Sequence, residues 1–231
     1  MRHGHRIAPG RKRNLILNES GRLTVDGRER TFETVGPASD APTGMVLVLH
    51  GSKQSGRRYV VRYSNGGQMA IKLVHEIPDR LSGAVIISAT LPVAANLVVN
   101  DKHLPMPIVL IHGTLDPVVP YGGGIASMWG LGSGGRGLSA FDSAQYFARR
   151  NGITAAPGTE QLRHLPESGK TSAIRQRWAQ EGKDSVTLYT VTNGGHVIPN
   201  PTTRASLLGR TTRDIDAADT VAELMAEPAE K

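Results

Sequence analysis

The sequence predicts an α/β fold whose central sheet is mostly parallel and flanked by helices. Short, continuously apolar runs at residues 45–49, 83–89 and 108–112 have the composition of strands buried on both faces of such a sheet. Residues 68–75 and 138–151 instead carry apolar side chains at helical spacing. Because buried strands separated by helices favour parallel connections, these two observations predict the fold class.

The N-terminal part of the chain has a different character. Residues 1–20 are basic and are expected to form a flexible leader, ahead of a single domain over residues 21–231. Residues 22–25 and 28–35 flank an Asp-Gly pair, which suits the two-residue type I′ turn of a hairpin. We therefore expect an N-terminal β-hairpin at the start of the domain.

The stretch at residues 59–75 has the layout of a nucleophile elbow. Residues 59–63 predict a strand that stops at Ser64, and an Asn-Gly-Gly turn and a helix follow. In such an elbow the tight turn lifts a serine hydroxyl above the sheet, and the helix directs its first N–H groups towards developing negative charge. Gly66 fits the usual G-x-S-x-G pattern, but Arg62 stands where that pattern has a small residue. The alternative is an ordinary strand-to-helix connection.

An acid and a histidine follow two further predicted strands. Asp116 lies just past the strand at residues 108–112, and His196 lies just past a strand predicted at residues 186–191. In an open parallel sheet, functional groups gather at the carboxyl ends of the strands. Taken singly, Asp116 could start a turn before a proline, and His196 could be an ordinary loop histidine. Together with Ser64 they give the chain order Ser, Asp, His that is typical of α/β-hydrolases.

These three residue types match nucleophilic catalysis. A serine hydroxyl is a weak nucleophile, so a neutral imidazole must accept its proton during attack. A carboxylate behind the imidazole fixes its tautomer and stabilises the imidazolium. The tetrahedral oxyanion needs two N–H donors, each worth on the order of 3 kcal/mol. We expect the amide of Asn65 to be one donor and a residue after the His50-Gly51 pair, Ser52 or Lys53, to supply the other.

The later segments add a loop and a C-terminal helix. Residues 122–137 contain eight glycines in sixteen positions and are expected to form a loop. Tyr121 and Trp129 are candidates for contact with a substrate there, although a plain surface loop is the alternative. Residues 214–227 predict a helix with an apolar stripe. The chain has no cysteine, which excludes disulfides, thiolate metal sites and cysteine nucleophiles.

Four segments together resemble the polyhydroxybutyrate depolymerase-like esterases, a family of α/β-hydrolases that includes feruloyl and acetyl-xylan esterases. They are His50-Gly51-Ser52, Tyr63-Ser64-Asn65-Gly66-Gly67, the run from His112 to Tyr121, and Gly194-Gly195-His196. The resemblance covers roughly residues 22–200. It implies an α/β-hydrolase fold and hydrolysis of hydroxyalkanoate, hydroxycinnamoyl or acetyl esters, small or polymeric, through an acyl-serine intermediate without metal or cofactor. Ser64, Asp116 and His196 match the family's triad.

The sequence departs from that family in the middle of the fold. Members carry a strand and helices between the His-Gly loop and the elbow strand, whereas here only residues 51–58 connect them. A parallel return normally takes about a dozen residues or more. A segment lost from the gene, a stretch missing from the sequence in hand, and a strand supplied by a second copy in a homo-oligomer all stay open. A shortened middle, together with Arg62, favours the alternative of a catalytically impaired binding protein on a hydrolase scaffold.

Charge and hydropathy restrict the partners. The formal net charge is +7, and eight basic residues fall in the first 30 positions. A basic arm could contact nucleic acid, but no aromatic side chains interleave with the scattered charges, so a solvated surface is preferred and no nucleic-acid partner is predicted. No apolar run reaches the length of a membrane span, and no signal-peptide core follows the basic N-terminus. We therefore expect a cytoplasmic protein without a membrane partner, with secretion left open.

Overall fold

The computed structural model describes five stretches of the chain: residues 16–25, 28–37, 64–127, 135–202 and 207–226. The strands predicted at residues 45–49 and 59–63, Arg62 and the connection at residues 51–58 lie outside the described residues. The chain divides into two compact units, residues 1–45 and residues 46–231, and each is described by itself.

In the first unit, two strands form an antiparallel pair. β1 (Ile16–Val25) and β2 (Arg28–Pro37) pair along their whole length, from Ile16 opposite Pro37 to Val25 opposite Arg28. The two-residue interval between the strands has the length of a tight hairpin connection.

The described part of the second unit is an α/β fold with a five-stranded sheet flanked by helices. Its elements are α1 (Asn65–Glu76), β3 (Ala84–Ile87), β4 (Ile108–Gly113), β5 (Gly124–Ile125), β6 (Arg136–Gly137), α2 (Ala140–Arg150), β7 (Gly158–Gln161), β8 (Ser172–Trp178), β9 (Val186–Thr192) and α3 (Ala217–Ala226). The sheet has the order β3-β4-β9-β8-β7. Within the described part of the chain, no helix is both long and apolar enough to cross a membrane.

The described sheet is mixed, whereas the sequence predicts a mostly parallel one. β3, β4 and β9 are parallel neighbours, but β8 is antiparallel to β9 and β7 is antiparallel to β8. Only residues 179–185 separate β8 from β9, so this return needs no crossover helix. All four residues of β7 are exposed, and the strand therefore lacks the apolar pattern by which a sequence reveals a strand.

The core lies on both faces of the sheet, and β4 is buried along its whole length. Because successive side chains of a strand point to opposite faces, Ile108 and Leu110 pack in one apolar cluster and Val109 and Ile111 pack in another. The first cluster includes side chains of α1 and α2, and the second includes Ala217 at the start of α3. Helices thus cover both faces of the strand that leads to Asp116.

The glycine-rich segment at residues 122–137, for which the sequence predicts a loop, contains a short antiparallel pair. Gly124 of β5 lies opposite Gly137 of β6, and Ile125 lies opposite Arg136. Residues 128–134, which include Trp129, lie outside the described residues.

Candidate active site

Ser64 occupies a strained backbone position directly before α1. Its φ of 67° and ψ of −126° lie in a region that residues other than glycine rarely adopt. Such strain costs on the order of 1–3 kcal/mol and is concentrated at functional sites. Ser64 is the N-cap of α1, yet its side chain makes no capping hydrogen bond. Its hydroxyl therefore does not stabilise the helix, which is the usual task of an N-cap serine.

The turn at Ser64 is fixed to the end of β3. The Ser64 amide donates to the carbonyl of Ile87 at 3.1 Å. Gly67 is buried against the same segment, and a Cβ atom placed on it would lie 2.5 Å from the Cβ atom of Ala89. A residue larger than glycine would therefore push α1 away from β3. Such close packing of strand and helix is what small residues permit at a nucleophile elbow.

Asp116 lies in the turn that follows β4 and is buried. Its Oδ1 accepts hydrogen bonds from the amides of Val118 and Val119, both at 2.8 Å. Its Oδ2 lies 2.7 Å from Nδ1 of His196. The exposed fraction of the side chain is 0% for Asp116 and 3% for His196, so water screens this pair little. Because a carboxylate only accepts, Nδ1 of His196 carries the proton, and Nε2 of the neutral ring can accept one.

The loops that carry the acid and the histidine are bonded to each other. The amide of Thr114 donates to the carbonyl of Val191 at 2.9 Å, and the amide of Leu115 donates to the carbonyl of Gly194 at 2.8 Å. β4 and β9 are parallel neighbours, so their carboxyl ends start these loops side by side. Backbone hydrogen bonds, and not only the two side chains, therefore hold the pair in register.

A second histidine, His112 in β4, lies beside the same carboxylate. Its Nε2 is 2.9 Å from the carbonyl oxygen of Val119 and 3.5 Å from Oδ2 of Asp116. Burial lowers the pKa of His112, because desolvation penalises the charged ring. The sequence reasoning gave His112 no role beyond its place in a motif. The signal was a histidine at the end of an otherwise apolar, buried strand.

The other predicted site residues are connected less directly to this pair. Asn65 is the first residue of α1 and is exposed, and the first N–H groups of a helix have no partner within the helix. The hydroxyl of Tyr121 lies 2.8 Å from Oγ1 of Thr190, and its ring packs against the core. Contact between Tyr121 and a substrate stays a prediction. Outside the described residues lie Ser52, Lys53 and Trp129.

Ser64 belongs to the same edge of the sheet as the pair of Asp116 and His196. Its amide bonds to the end of β3, which is the parallel neighbour of β4, and β4 is the parallel neighbour of β9. Neighbouring strands are about 4.8 Å apart, so three chain segments end close together. Among the described residues, no hydrogen bond joins Ser64 to His196. Catalytic hydrogen bonds are often long or poorly aligned until a substrate binds, so Ser64 stays the predicted nucleophile.

The geometry suits proton transfer to and from a hydroxyl group. An imidazole whose Nδ1–H is held by a buried carboxylate presents Nε2 as a base, and the carboxylate stabilises the charge that the ring gains. The start of α1 supplies N–H groups that attract negative charge. The described residues include no cluster of His, Asp or Glu side chains that could hold a metal ion. Such a base could assist acyl transfer to a hydroxyl oxygen.

Two comparisons with known proteins give esterase-type matches. Residues 48–131, which include Ser64 and Asp116, match the phospholipase/carboxylesterase family. The chain is also 28% identical, over 175 residues and 72% of its length, to the "Putative esterase NocK" of Nocardia uniformis subsp. tsuyamanensis. The match covers 50% of that protein, so the chain spans about half the length of this curated relative.

The similarity is to α/β-hydrolase esterases. It supports the resemblance seen in the sequence at the level of that larger group. The polyhydroxybutyrate depolymerase-like and feruloyl esterase subtypes are named by neither match and stay predictions.

Proposed function

We propose that this chain is a carboxylic-ester hydrolase that acts through an acyl-serine intermediate. The observation that carries the proposal is the buried hydrogen bond of 2.7 Å between Asp116 and His196, at the sheet edge that also bears the strained turn of Ser64. Both matches are to esterase-type proteins and support the same class of reaction.

Ser64 is the proposed nucleophile, His196 the general base and Asp116 the acid behind it. As Oγ of Ser64 attacks the ester carbonyl, Nε2 of His196 accepts the hydroxyl proton, and Asp116 stabilises the resulting imidazolium. The imidazolium then donates its proton to the departing alcohol, which leaves the acyl group on the serine. Nε2 of His196 then takes a proton from a water molecule as this water attacks the acyl group. The bond between the acyl carbon and Oγ breaks, the carboxylic acid leaves, and the imidazolium returns a proton to Oγ of Ser64.

The proposed oxyanion hole combines the start of α1 with the loop after the His50-Gly51 pair. The amide of Asn65 directly follows the nucleophile and gains from the partial positive charge of the helix N-terminus. The second donor is proposed at Ser52 or Lys53 from the sequence pattern. Each donor contributes about 3 kcal/mol of transition-state stabilisation, a factor of roughly 10²–10³ in kcat.

The proposed substrates are small or polymeric esters of the hydroxyalkanoate, hydroxycinnamoyl or acetyl type, in line with the sequence resemblance. Tyr121 and Trp129 are the proposed substrate contacts. We further propose a leader at residues 1–20, a single hydrolase domain at residues 21–231 with a shortened middle, and chemistry that needs no cofactor.

Hydrolysis of short p-nitrophenyl esters by wild type and Ser64→Ala tests the proposal. We expect kcat to fall on the order of 10⁴-fold or more in the variant, because no other group replaces the nucleophile. Ser139→Ala is a matched control, since Ser139 is also a helix N-cap, and it accepts a bond from the amide of Asp142 at 2.9 Å. This control should keep kcat and lose about 1 kcal/mol of unfolding free energy.

Labelling with a fluorophosphonate identifies the nucleophile independently of the substrate. We expect a single adduct on Ser64, located by mass spectrometry of the peptides and missing from Ser64→Ala. Equal ester hydrolysis by wild type and Ser64→Ala, with no adduct, would instead indicate a binding protein on a hydrolase scaffold.

A further inference from the structure

His112 is a polar residue at a position where the strand otherwise carries apolar side chains. It lies on the same face of β4 as Ile108 and Leu110, which pack in the core beneath α1 and α2. The residue is 1% exposed, and the ring of Tyr121 meets it edge-on with centroids 5.9 Å apart. An apolar side chain would fill this space without loss of hydration, so the histidine requires an explanation.

The hydrogen bonds of His112 join it to the turn of the carboxylate. Nε2 lies 2.9 Å from the carbonyl oxygen of Val119, and the amide of the same Val119 donates to Oδ1 of Asp116 at 2.8 Å. The same Nε2 lies 3.5 Å from Oδ2 of Asp116, the oxygen that receives His196. His112, Val119 and Asp116 therefore form a closed ring of polar contacts around the carboxylate.

The two ring nitrogens of His112 have different surroundings, and packing alone does not explain the difference. The ring is neutral, since burial lowers the pKa of His112, and its proton resides on Nε2, which faces the Val119 carbonyl. Nδ1 is buried and has no hydrogen-bond partner among the described residues. A buried nitrogen without a partner is unfavourable, and groups of this kind in native proteins often have a functional reason. What the histidine supplies is one N–H aimed at the turn of Asp116.

We propose that His112 is a positioning residue for Asp116: its Nε2–H, donated to Val119, holds the carboxylate in line with Nδ1 of His196. This inference rests on the proposed esterase function and names a further residue of the same site. Without this N–H, the carbonyl of Val119 loses its hydrogen-bond donor and the turn that contains Asp116 and Val119 is held less firmly. The carboxylate of Asp116 then moves away from the imidazole of His196.

Three substitutions of His112 separate the effect of its Nε2–H from the effect of its ring shape. His112→Gln keeps an N–H near the position of Nε2, His112→Phe keeps a planar ring without it, and His112→Asn carries an amide too short to reach Val119. We expect kcat for p-nitrophenyl esters to fall roughly 10- to 100-fold in the Phe and Asn variants, as for small misplacements of a catalytic group, with KM little changed. The Gln variant should restore most of kcat.

The pH dependence of kcat/KM distinguishes positioning of Asp116 from a merely structural role of His112, which would leave this dependence unchanged. The titratable groups that face His112 among the described residues are Asp116, His196 and Tyr121. A carboxylate that drifts away supports the imidazolium of His196 less, so the acid limb of kcat/KM should shift to lower pH in His112→Phe. In His112→Gln, the limb should coincide with that of wild type.

A proton resonance tests the positioning without any assay of activity. The Nδ1–H of His196 in its bond to Asp116 should give a low-field NMR signal in wild type and His112→Gln, and a broadened or lost signal in His112→Phe and His112→Asn. His75→Phe is the matched control, because His75 is fully buried and bonds to Ile71 and Tyr146, away from the carboxylate. It should keep the signal and the acid limb.

Three results would overturn the inference. The first is an NMR signal and an acid limb of kcat/KM that are unchanged in both His112→Phe and His112→Asn. The second is a loss of kcat in His112→Gln as large as that in His112→Phe. The third is a lost signal and a shifted acid limb in His75→Phe. If wild type hydrolyses esters no faster than Ser64→Ala, the proposed function fails, but the NMR comparison still decides whether His112 positions the carboxylate.

Discussion

Among the described residues, two aspartates whose side chains are 0% exposed each contact a histidine, and only one of them lies at the proposed active site. Oδ2 of Asp116 is 2.7 Å from Nδ1 of His196, and Oδ2 of Asp214 is 3.2 Å from Nδ1 of His164. In both pairs the other carboxylate oxygen accepts two further hydrogen bonds. They come from the amides of Val118 and Val119 in the first pair, and from the amide of Leu165 and the hydroxyl of Ser168 in the second.

The two pairs differ in the surroundings of the imidazole. The exposed fraction of the side chain is 3% for His196 but 48% for His164, so water screens the second pair. The hydroxyl of Ser168 donates its hydrogen bond to this carboxylate and not to the ring of His164. A short distance between an aspartate and a histidine is therefore not enough to identify a catalytic pair. Asp116 and His196 differ from the second pair in that the ring is buried and both residues follow the carboxyl ends of strands, at the same sheet edge as Ser64.

Replacing each of the two aspartates by asparagine should give the largest difference in kcat between the two pairs. Asp116→Asn should lower kcat on the order of 10⁴-fold, because the amide stabilises the wrong tautomer of His196 and cannot stabilise the imidazolium. Asp214→Asn should leave kcat for p-nitrophenyl esters unchanged. If both variants lose activity to the same degree, the distinction between the two pairs is wrong.

A larger residue at Gly67 tests the feature that the second pair lacks, a strained serine turn packed against the sheet. In Gly67→Ala the new Cβ atom would lie 2.5 Å from that of Ala89, so α1 and the turn of Ser64 must shift. We expect a loss of about 1–3 kcal/mol in unfolding free energy and, because the nucleophile moves, a fall in kcat of up to about 10²-fold.

The control for that variant is Gly158→Ala, on the exposed edge strand β7, where no atom lies closer than 4.0 Å to a built Cβ. Its kcat should equal that of wild type. A Gly67→Ala variant with wild-type kcat would show that the tight contact of α1 with β3 does not position the nucleophile.

Lowering the pH should reduce the stabilisation that the carboxylate of Asp214 gives to the fold. Burial raises the pKa of Asp214, but hydrogen bonds from Leu165, Ser168 and His164 outweigh it and hold the pKa below its usual range. A carboxyl whose pKa is lower in the folded state stabilises the fold above its unfolded pKa of about 3.9, and this stabilisation is lost as the pH falls towards the folded value.

Urea denaturation of wild type and Asp214→Asn between neutral pH and pH 3 measures this effect. The difference in unfolding free energy should be largest near neutral pH and shrink below about pH 4. A difference that is constant with pH would mean that the charge of Asp214 does not contribute to stability.

The smallest effect is expected for the exposed histidine. His164→Gln removes a screened contact of 3.2 Å, and such contacts contribute less than about 1 kcal/mol. Thermal unfolding should therefore be almost unchanged, and so should ester hydrolysis. A large loss of activity in this variant would place His164 in the catalytic machinery and reverse the comparison.

The elements with strong apolar patterns could be predicted from the sequence. The runs that predict strands at residues 83–89, 108–112 and 186–191 correspond to β3, β4 and β9. β4 and β9 are buried almost throughout, and β3 is buried at its end, so all three carry an apolar pattern. The helices predicted at residues 68–75 and 138–151 correspond to α1 and α2. β7 and β8 could not be predicted in this way, since the first is wholly exposed and the second carries Arg175 and Arg177.

The residues of the candidate site could also be predicted only in part from the sequence. Asp116 and His196 could be proposed because each follows a buried strand, and strand ends are where such groups meet. The bonds that His112 makes could not be foreseen, since Val119 reaches it only through the turn after β4. The pair of Asp214 and His164 joins residues 50 positions apart in segments without a periodic pattern, so the sequence gives no sign of it.

The backbone of Ser64 has a consequence for how this protein can change. A glycine there would adopt the φ of 67° without strain and stabilise the fold by about 1 kcal/mol, yet it would have no hydroxyl. A substitution that relieves this strain would therefore remove the proposed nucleophile. Stability and the proposed reactivity thus make opposite demands on this one position.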